Sequence, residues 1–283
     1  MESRRGQEGS GAEIVLIETH CHLNDRAFAD DRGAVIGRAL AAGVEKFVEI
    51  ACAAPEWEPA RSLCAAWPGK FACAYGLHPE YVKDYRPEQL PELEKFLADP
   101  TAAALGEIGL DYWWEPERAE EQRAMLEAQL PLSVKYGKPV VFHARNGKEP
   151  GQDAYAALFA RLKSSWSYFP PGRRHRGVLH CFSGSYDDAR SAVGLGLAIG
   201  VNGSYTYPRN SDLRETVKKI GLGSVVLETD CPYLPPQSSR GKRNDPSFIP
   251  EIALAVGDGL GMSAAAVAEK TSGTAAELFG LQG

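Results

Sequence analysis

Short β-like runs alternate with helical patterns along nearly the whole chain, and this alternation constrains the fold more than any other feature. The runs recur at intervals of about 30 residues, the length of a strand with its crossover helix. Eight are found, at positions 14–20, 46–52, 71–77, 103–108, 139–143, 178–181, 196–201 and 225–229. Such alternation favours parallel strands joined by right-handed crossovers, and eight strand–helix units close a barrel. We predict an α/β fold, a TIM-type (β/α)8 barrel, with an open doubly wound sheet as the alternative.

The segments between the runs carry helix signals. Helical patterns that each end just before a glycine, the usual C-terminal cap, lie at 31–42, 115–136 and 187–195. Residues 146–176 are the least regular stretch and predict a helix with long flanking loops. No linker divides the chain, and a barrel of about 250 residues is one domain. We therefore predict one domain at 13–283, after a polar, Gly-rich leader at 1–12 that we expect to be disordered.

The charge balance bears on which partners the chain can attract. It has 31 Lys and Arg residues against 37 Asp and Glu residues, a formal net charge of −6. This charge opposes non-specific attraction to nucleic acid, so a polyanionic substrate has to be held by local positive charge. The six cysteines form no Cys-x-x-Cys pair, and there is no secretory signal and no apolar run of about 18 residues. These features predict a soluble, monomeric, cytoplasmic protein without membrane association, or a nuclear one if the source is eukaryotic.

A pair of histidines follows the first apolar run. His20 and His22 stand two residues apart, where alternate side chains of a strand share a face and Cys21 points to the other face. Two imidazoles on one face have a spacing that a metal ion can use. Alone, the pair is equally consistent with polar residues at a strand end, so the rest of the chain has to supply the missing ligands.

Further polar side chains stand at the ends of later runs. In a barrel, the carboxyl ends of all strands meet at one mouth. We therefore predict that six residues converge there: His20, His22, Glu107, His143, His180 and Asp230. Four imidazoles and two carboxylates suit one or two divalent metal ions such as Mg, Mn or Zn, and a carboxylate can bridge a pair of ions. Any one of these residues alone is more often a hydrogen-bonded side chain or a helix cap.

Five sequence motifs, taken in order, resemble the TatD family of metal-dependent deoxyribonucleases. They are Thr19-His20-Cys21-His22-Leu23, Gly76-Leu77-His78-Pro79, Gly106-Glu107-Ile108-Gly109-Leu110-Asp111-Tyr112, His180-Cys181-Phe182-Ser183-Gly184 and Glu228-Thr229-Asp230-Cys231-Pro232-Tyr233-Leu234. The resemblance covers the chain from Ile14 to Phe279. It implies a barrel of the amidohydrolase superfamily that hydrolyses DNA phosphodiesters, often as a 3′ to 5′ exonuclease.

The resemblance also implies a ligand set in two parts. One metal would be held by His20, His22, Glu107 and Asp230, and a second, bridged through Glu107, by His143 and His180. Many relatives in the superfamily bridge with a carboxylated lysine on the fourth strand. The glutamate found here favours the nuclease branch over the phosphotriesterase-like branch.

Two residues depart from the family pattern. Glu18 stands where the family usually has Asp, on the same strand face as His20, and its longer side chain can alter the support under the metals. Cys231 stands where Ala is common, beside the proposed ligand Asp230. Neither removes a ligand, but both leave the metal preference open.

Basic and polar residues near the predicted mouth are candidates for substrate contact. Arg145 lies two residues after His143, and Arg243 lies in a basic segment after the eighth strand that resembles the family's. Arginine suits bidentate contact with phosphate oxygens, and solvated surface charge is the alternative. His78, after the third strand, is a further candidate, with a structural hydrogen bond as its alternative.

Other residues invite less specific expectations. Asp111 is expected to orient ligands or to cap the following turn. Tyr112, Trp113 and Trp114 could stack a base at the rim, but burial under a loop is the favoured role. The basic cluster at 173–176 precedes the sixth strand, so we predict a solvated loop at the opposite face of the barrel.

These expectations combine into a metal-dependent phosphodiesterase that acts on DNA, a 3′ to 5′ exodeoxyribonuclease. Asp230 would act as general base toward water, and Glu107 would hold the metals that neutralise charge on the phosphoryl oxygens. Two alternatives stay open. An amide, ester or lactone hydrolase of the same barrel would need Arg145 and Arg243 little. A barrel retained as a binding or scaffold protein would purify without metal.

Overall fold

Eight parallel strands form one sheet in the computed structural model, which describes residues 15–166 and 173–281. The strands are β1 (Leu16–Cys21), β2 (Val44–Ala51), β3 (Phe71–Tyr75), β4 (Ala102–Asp111), β5 (Val140–Arg145), β6 (Gly177–Leu179), β7 (Leu197–Val201) and β8 (Val225–Leu227). The α-helices in the same ranges are α1 (Arg32–Ala41), α2 (Ala54–Ala66), α3 (Gln89–Leu97), α4 (Ala119–Tyr136), α5 (Ala154–Ser165), α6 (Tyr186–Gly194), α7 (Ser211–Ile220), α8 (Ile249–Leu260) and α9 (Ala264–Phe279). The predicted leader at 1–12 lies outside the described residues.

Each strand pairs in parallel with the next one along the chain, in the order β1 to β8. The ring closes where the segment after β8 meets β1, because Cys21 pairs in parallel with Cys231. Glu18 reinforces this seam, since its Oε1 accepts the backbone N–H groups of His20 and Thr229, each at 2.9 Å. The predicted (β/α)8 barrel is therefore confirmed, and the doubly wound alternative is wrong.

Element boundaries differ from the predicted ones by a few residues. α4 begins at Ala119 rather than at position 115, because a 3-10 turn at Pro116–Arg118 precedes it. The least regular stretch holds α5, whose N-cap residue Asp153 accepts a backbone N–H of the first turn. Part of that stretch, residues 167–172, lies outside the described residues.

The barrel interior is filled by small and β-branched residues. They are Ile17, Val48, Ile50, Ala74, Ala104, Val141, Val178, Ala198 and Val226. α9 adds Leu278 and Phe279 to this cluster. Arg173, which precedes β6, donates to the Leu278 carbonyl oxygen at 2.9 Å, so the end of α9 lies where the strands begin. The opposite end, where the carboxyl ends of the strands meet, is the end at which barrel enzymes carry their sites.

The basic cluster at 173–176 lies at the amino ends of the strands, as predicted, but it is not a solvated loop. Arg176 is 4% exposed, and its guanidinium donates to the carbonyl oxygens of Leu195 and Trp166, each at 2.5 Å. The same guanidinium lies 4.3 Å from the centre of the Trp166 ring. His175 is also buried. The predicted solvation is therefore wrong for these two residues, which tie the start of β6 to its neighbours.

Within the described ranges, no single helix is long and apolar enough to cross a membrane. One pair, Pro246–Leu260 with Ala264–Phe279, reaches the length and apolarity only when taken together. The two members of this pair are bent by 110° to each other, and both bury residues inside the protein.

Candidate metal centre at the strand ends

A cleft of 870 Å³ opens at the carboxyl ends of the strands, a volume typical of ligand sites. Its walls include five of the six predicted ligands: His22, Glu107, His143, His180 and Asp230. The sixth, His20, is fully buried and lies within 4 Å of His22, Glu107 and Asp230. The fold therefore brings all six residues together.

Glu107 lies at the centre of this cluster and is 2% exposed. Its Oε1 lies 2.7 Å from His180 Nε2 and 2.8 Å from His143 Nδ1, whereas its Oε2 lies 3.4 Å from His20 Nε2. Burial alone would raise the pKa of Glu107, but the imidazoles of His180, His78 and His20 outweigh burial and hold that pKa well below its ordinary value. The two oxygens of an ionised carboxylate thus face two different groups of imidazoles.

His20, His22 and Asp230 form one of these groups. The Nε2 atoms of His20 and His22 are 3.2 Å apart, and Asp230 Oδ1 lies 3.4 Å from His22 Nε2. Burial would lower the pKa of His22, but the Asp230 carboxylate raises it to about 9. Cys21 points away, as strand alternation predicts, and its thiol faces the backbone of β2. Asp230 has a φ of 59°, in the left-handed region that Asp adopts more readily than most residues.

His143 is held from both sides of its ring. Its Nδ1 faces Glu107, and its Nε2 lies 2.9 Å from Asp111 Oδ2. Burial would lower the pKa of His143, but Asp111 and Glu107 raise it to about 9. The other oxygen of Asp111 accepts the backbone N–H groups of Trp113 at 2.8 Å and Trp114 at 3.1 Å. Asp111 therefore does both things left open by the sequence: it orients a candidate ligand and caps the following turn.

Gly109 explains how β4 and β5 come close enough for this arrangement. It is paired with His143 in the parallel ladder. Its φ is 152°, and a Cβ at this position would lie 1.9 Å from the His143 carbonyl oxygen. A side chain has no room here, so the glycine permits the close approach that sets Glu107 beside His143.

The donor atoms of the cluster fit divalent cations. Three groups have donor atoms within 4.8 Å of one another: His20, His22 and Asp230; His78, Glu107 and His143; and His20, His180 and Glu228. Imidazole nitrogens and carboxylate oxygens are ligands that Zn and Mn accept, and Mg accepts the carboxylates. The facing Nε2 atoms of His20 and His22, beside the Asp230 carboxylate, suit a shared cation. The residues present therefore fit a metal-dependent centre.

His78 takes part in this cluster more directly than the sequence suggested. Its Nε2 lies 3.4 Å from Glu107 Oε1, and its Nδ1 accepts the backbone N–H of Glu80 at 3.2 Å. The structural hydrogen bond is therefore present, and His78 also lines the cleft, whereas its predicted contact with substrate stays a prediction. We add His78 to the candidate metal ligands.

Glu228 is a candidate that the sequence reasoning missed. It is fully buried, it accepts the backbone N–H of Cys181, and its Oε1 lies 3.7 Å from His180 Nδ1. A signal was available, because Glu228 stands two residues before Asp230 in the same motif. Metal-binding imidazoles commonly have a carboxylate behind the far nitrogen, and here Glu228 faces His180 Nδ1 while His180 Nε2 faces Glu107.

The two arginines predicted to contact substrate have different positions. Arg145 lines the cleft. Arg243 does not: its guanidinium lies 2.9 Å from Asp31 Oδ1 and 2.6 Å from Asp31 Oδ2, and it covers the Phe28 ring at 4.6 Å. The loop after β8 turns toward the start of α1, where the Asp31 carboxylate accepts hydrogen bonds from both terminal nitrogens of the Arg243 guanidinium. The structure therefore does not support Arg243 as a substrate contact.

Two other arginines, Arg26 and Arg209, line the cleft and were missed. Arg26 lies in the 3-10 turn after β1, and Arg209 lies in the loop before α7, so no strand end marked them. Among the described residues, neither these two nor Arg145 lies within 4 Å of a carboxylate, although other surface arginines such as Arg161 and Arg190 do. The cleft thus carries three guanidinium groups that form no ion pair with a carboxylate in the described part of the chain.

The aromatic segment after β4 is only partly buried. Tyr112 is 4% exposed, and its hydroxyl accepts a hydrogen bond from Arg123 at 2.8 Å, so the predicted burial is correct for this residue. It is wrong for Trp113 and Trp114, which lie at the surface, and Trp114 lines the cleft. The turn capped by Asp111 directs both rings outward instead of under a loop.

A parallel barrel with imidazoles and carboxylates gathered at the carboxyl ends of its strands defines a metal-dependent hydrolase. Residues 17–280 match the TatD related DNase family. The chain belongs to that family, as its five motifs indicated.

Individual relatives agree with this assignment. The 3'-5' ssDNA/RNA exonuclease TatD of Pantoea vagans is 32% identical over 271 residues, which cover 94% of this chain and 100% of the relative. The metal-dependent hydrolase YjjV of Escherichia coli is 35% identical over 237 residues, 82% of this chain and 85% of the relative. The crystal structure of YjjV from Escherichia coli superimposes with a TM-score of 0.84 at 32% identity, covering 94% of this chain and 98% of that one.

Proposed function

We propose that this protein hydrolyses phosphodiester bonds of single-stranded DNA from the 3′ end, with the help of two divalent metal ions. One observation carries the proposal. Glu107 directs its two carboxylate oxygens at two groups of imidazoles in a cleft that also holds three arginines without carboxylate partners among the described residues. The relative from Pantoea vagans, named a 3'-5' ssDNA/RNA exonuclease, supports the choice of substrate and polarity.

The residues that would hold the ions fall into two sets. One set is His20, His22, Glu107 and Asp230, and the other is His143, His180 and Glu107, with His78 beside it. When bound, Mg, Mn or Zn ions supply positive charge for the phosphoryl oxygens and favour ionisation of water. Glu107 belongs to both sets, so its removal should disturb both.

Asp230 is the proposed general base. Burial would raise its pKa, but the hydrogen bond with His22 and the charges of His180 and His20 hold it below its ordinary value. The carboxylate is therefore ionised near neutral pH and is able to accept a proton. It lines the cleft, where a water molecule and a phosphodiester could reach it.

The cleft arginines would hold the phosphates of the strand. Arg26, Arg145 and Arg209 all line the cleft, and a guanidinium binds a phosphate through two parallel hydrogen bonds. A chain of net charge −6 needs such local positive charge to hold a polyanion. The same charges argue against small neutral amides, esters or lactones as substrates. A monomeric state and a cytoplasmic location complete the proposal and rest on the sequence expectations alone.

The test uses oligonucleotides labelled at either end, single-stranded and double-stranded, with added Mg, Mn or Zn. We expect a 5′-labelled single strand to shorten stepwise, a 3′ label to be released at once as a mononucleotide, and slower attack on the duplex. The Glu107→Ala protein, prepared in parallel, should not shorten either substrate, and it controls for contaminating nucleases. Internal cleavage would overturn the polarity, and hydrolysis of lactones or amides without attack on DNA would overturn the proposal.

A further inference from the structure

Two tryptophans and two cations form a continuous surface at the rim of the cleft. This tryptophan platform consists of Trp113, Trp114, Arg145 and Lys148. The Arg145 guanidinium lies 4.9 Å from the centre of the Trp113 ring and 5.5 Å from that of Trp114, and Lys148 Nζ lies 4.6 Å from the Trp113 ring. Even with these contacts, Trp113 is 36% exposed and Trp114 is 58% exposed. Much of the indole surface is therefore free to bind a ligand.

The platform is fixed to the candidate metal centre. Asp111 accepts the backbone N–H groups of both tryptophans through one oxygen and holds His143 through the other. Arg145 follows His143 by two residues in β5, so both sit on the same strand. A ligand stacked on the platform would therefore lie at a defined position relative to the reacting phosphodiester.

Exposed aromatic side chains gather around this cleft. In the described part of the chain, the exposed large aromatic residues are Tyr81, Trp113, Trp114, Tyr186 and Tyr233. All but Tyr186 either line the cleft or belong to the platform. Aromatic surface left in water forgoes the stabilisation that burial would give, and a concentration of it marks an interaction site.

We infer that Trp114, whose ring lies against Arg145, stacks a base of the single-stranded substrate, while Arg145 and Lys148 contact the adjoining phosphates. This inference rests on the proposed function and adds to it that the protein recognises unpaired nucleobases as well as the backbone. Every base has a π face, so stacking accepts any sequence but requires a base that is not paired in a duplex. The platform would thus give the preference for single strands.

The chemistry of the platform fits a polynucleotide better than a protein surface. Within the described residues, Arg145 and Lys148 have no carboxylate within 4 Å, so both charges are available to phosphates. Alternating aromatic and cationic groups match alternating bases and phosphates along a strand. Arg145 lies beside both aromatic rings and lines the cleft, where it can contact the backbone next to a stacked base.

The test compares two single-stranded substrates, one of ordinary thymidines and one in which an abasic residue replaces a single thymidine near the 3′ end. The abasic residue is moved through successive positions, and the rate of each cleavage step is measured at substrate concentrations below KM. We expect the wild-type protein to prefer the base-bearing strand by about 5- to 150-fold at one position, the range that loss of one stacking contact gives. Trp114→Ala should abolish this preference, and Trp114→Phe should keep most of it.

Tyr186→Ala is the matched control. Tyr186 is 37% exposed, and Lys219 Nζ lies 4.9 Å from the centre of its ring, but Tyr186 does not line the cleft. This variant should keep the wild-type preference for the base-bearing strand. The inference is overturned if Trp114→Ala retains that preference, or if no position of the abasic residue slows the wild-type protein.

A binding measurement separates failure of this inference from failure of the proposed function. Oligothymidylate should quench tryptophan fluorescence of the wild-type protein, and most of the quenching should be lost in Trp114→Ala but not in Tyr186→Ala. If the wild-type protein degrades no DNA yet shows this pattern, the proposed hydrolysis fails and the platform stands. If it degrades single-stranded DNA with equal quenching in all three proteins, the platform fails and the proposed hydrolysis stands.

Discussion

Asp111 and His143 form a carboxylate–imidazole pair, in which Asp111 Oδ2 lies 2.9 Å from His143 Nε2 on the side of the ring opposite Glu107. The pair leaves His143 Nδ1 directed at the centre of the cluster. It makes Asp111 a positioning residue, because it acts on the centre through the histidine.

Replacing Asp111 with Asn should weaken metal binding without removing a ligand. The variant loses the carboxylate hydrogen bond that, together with Glu107, raises the pKa of His143 to about 9 against the effect of burial, so this pKa should fall and the imidazole should become a poorer electron-pair donor. Loss of such a partner typically lowers metal affinity by about 10- to 100-fold. Competition with a fluorescent chelator gives the affinity, and NMR titration gives the pKa. Asp187→Asn, at an exposed ion pair with Arg190, is the control and should change neither.

The cleft arginines should determine how DNA binding depends on salt. Arg145→Ala and Arg209→Ala should each weaken binding and flatten the plot of log affinity against log salt concentration by about 0.7 for a single strand, since each removes one phosphate contact. Arg243→Ala should leave the slope unchanged, because its guanidinium is held by Asp31 outside the cleft. Equal slopes for the wild type and Arg209→Ala, or a lower slope for Arg243→Ala, would show that the phosphates run elsewhere.

Much of this centre could be predicted from the sequence, because in a barrel the order of the strands along the chain determines where each strand end lies. Once the strands were assigned, a polar residue at the carboxyl end of any of them had to face the common mouth. His20, Glu107 and Asp230 come from the first, fourth and eighth strands, yet strand periodicity alone was enough to bring them together.

Loop residues escaped this reasoning because no periodicity fixes the path of a loop. Arg243 follows the last strand closely but turns to Asp31, whereas Arg209, in the loop before α7, enters the cleft. Trp113 and Trp114 are of a residue type that is usually buried, but the turn whose backbone N–H groups bond to Asp111 places both at the surface. Such contacts depend on partners that are distant in sequence or on the geometry of a local turn. The identity of a single residue predicts neither of these.

Two glycines, one where β4 approaches β5 and one in α1, should respond in opposite ways to substitution by alanine. Gly109→Ala should destabilise the fold severely, by more than about 3 kcal/mol, because the new Cβ would lie 1.9 Å from the His143 carbonyl oxygen. At Gly37 in α1, no described atom other than those of the helix's own backbone lies within 4 Å of where a Cβ would stand, so Gly37→Ala should stabilise by about 0.5 to 1 kcal/mol. Urea unfolding of both variants measures the difference. A Gly109→Ala protein as stable as the wild type would mean that the strands lie further apart.

Glu49 should contribute a pH dependence to stability. Burial raises its pKa from 4.5 to about 7, against the backbone N–H groups of Asn24 and Leu23, which lower it. The folded state therefore binds a proton more tightly than the unfolded state. The stability that this carboxyl contributes is fully present below pH 4.5 and is lost as the pH rises through about 7.

Substitution of Glu49 isolates this effect. The quantity to follow is the unfolding free energy of the wild type minus that of Glu49→Gln, measured with chelator present to exclude metal binding. This difference should fall by on the order of 3 kcal/mol between pH 4.5 and pH 7. The matched change at an exposed carboxyl, Glu58→Gln, should give a difference that varies little with pH. A flat difference for Glu49→Gln would mean that its carboxyl is already ionised at low pH in the folded protein.

The metal content of purified wild-type, Glu107→Ala and His143→Ala proteins shows whether Glu107 is shared between two ions. Each protein is loaded with Mn or Zn, dialysed, and analysed by mass spectrometry of the metal, with circular dichroism to verify folding. Because Glu107 faces both groups of imidazoles, we expect about two ions per wild-type chain, nearly none in Glu107→Ala, and about one in His143→Ala. A folded Glu107→Ala protein that keeps the wild-type metal content would contradict the proposed role of Glu107, because the ions would then be held without this carboxylate.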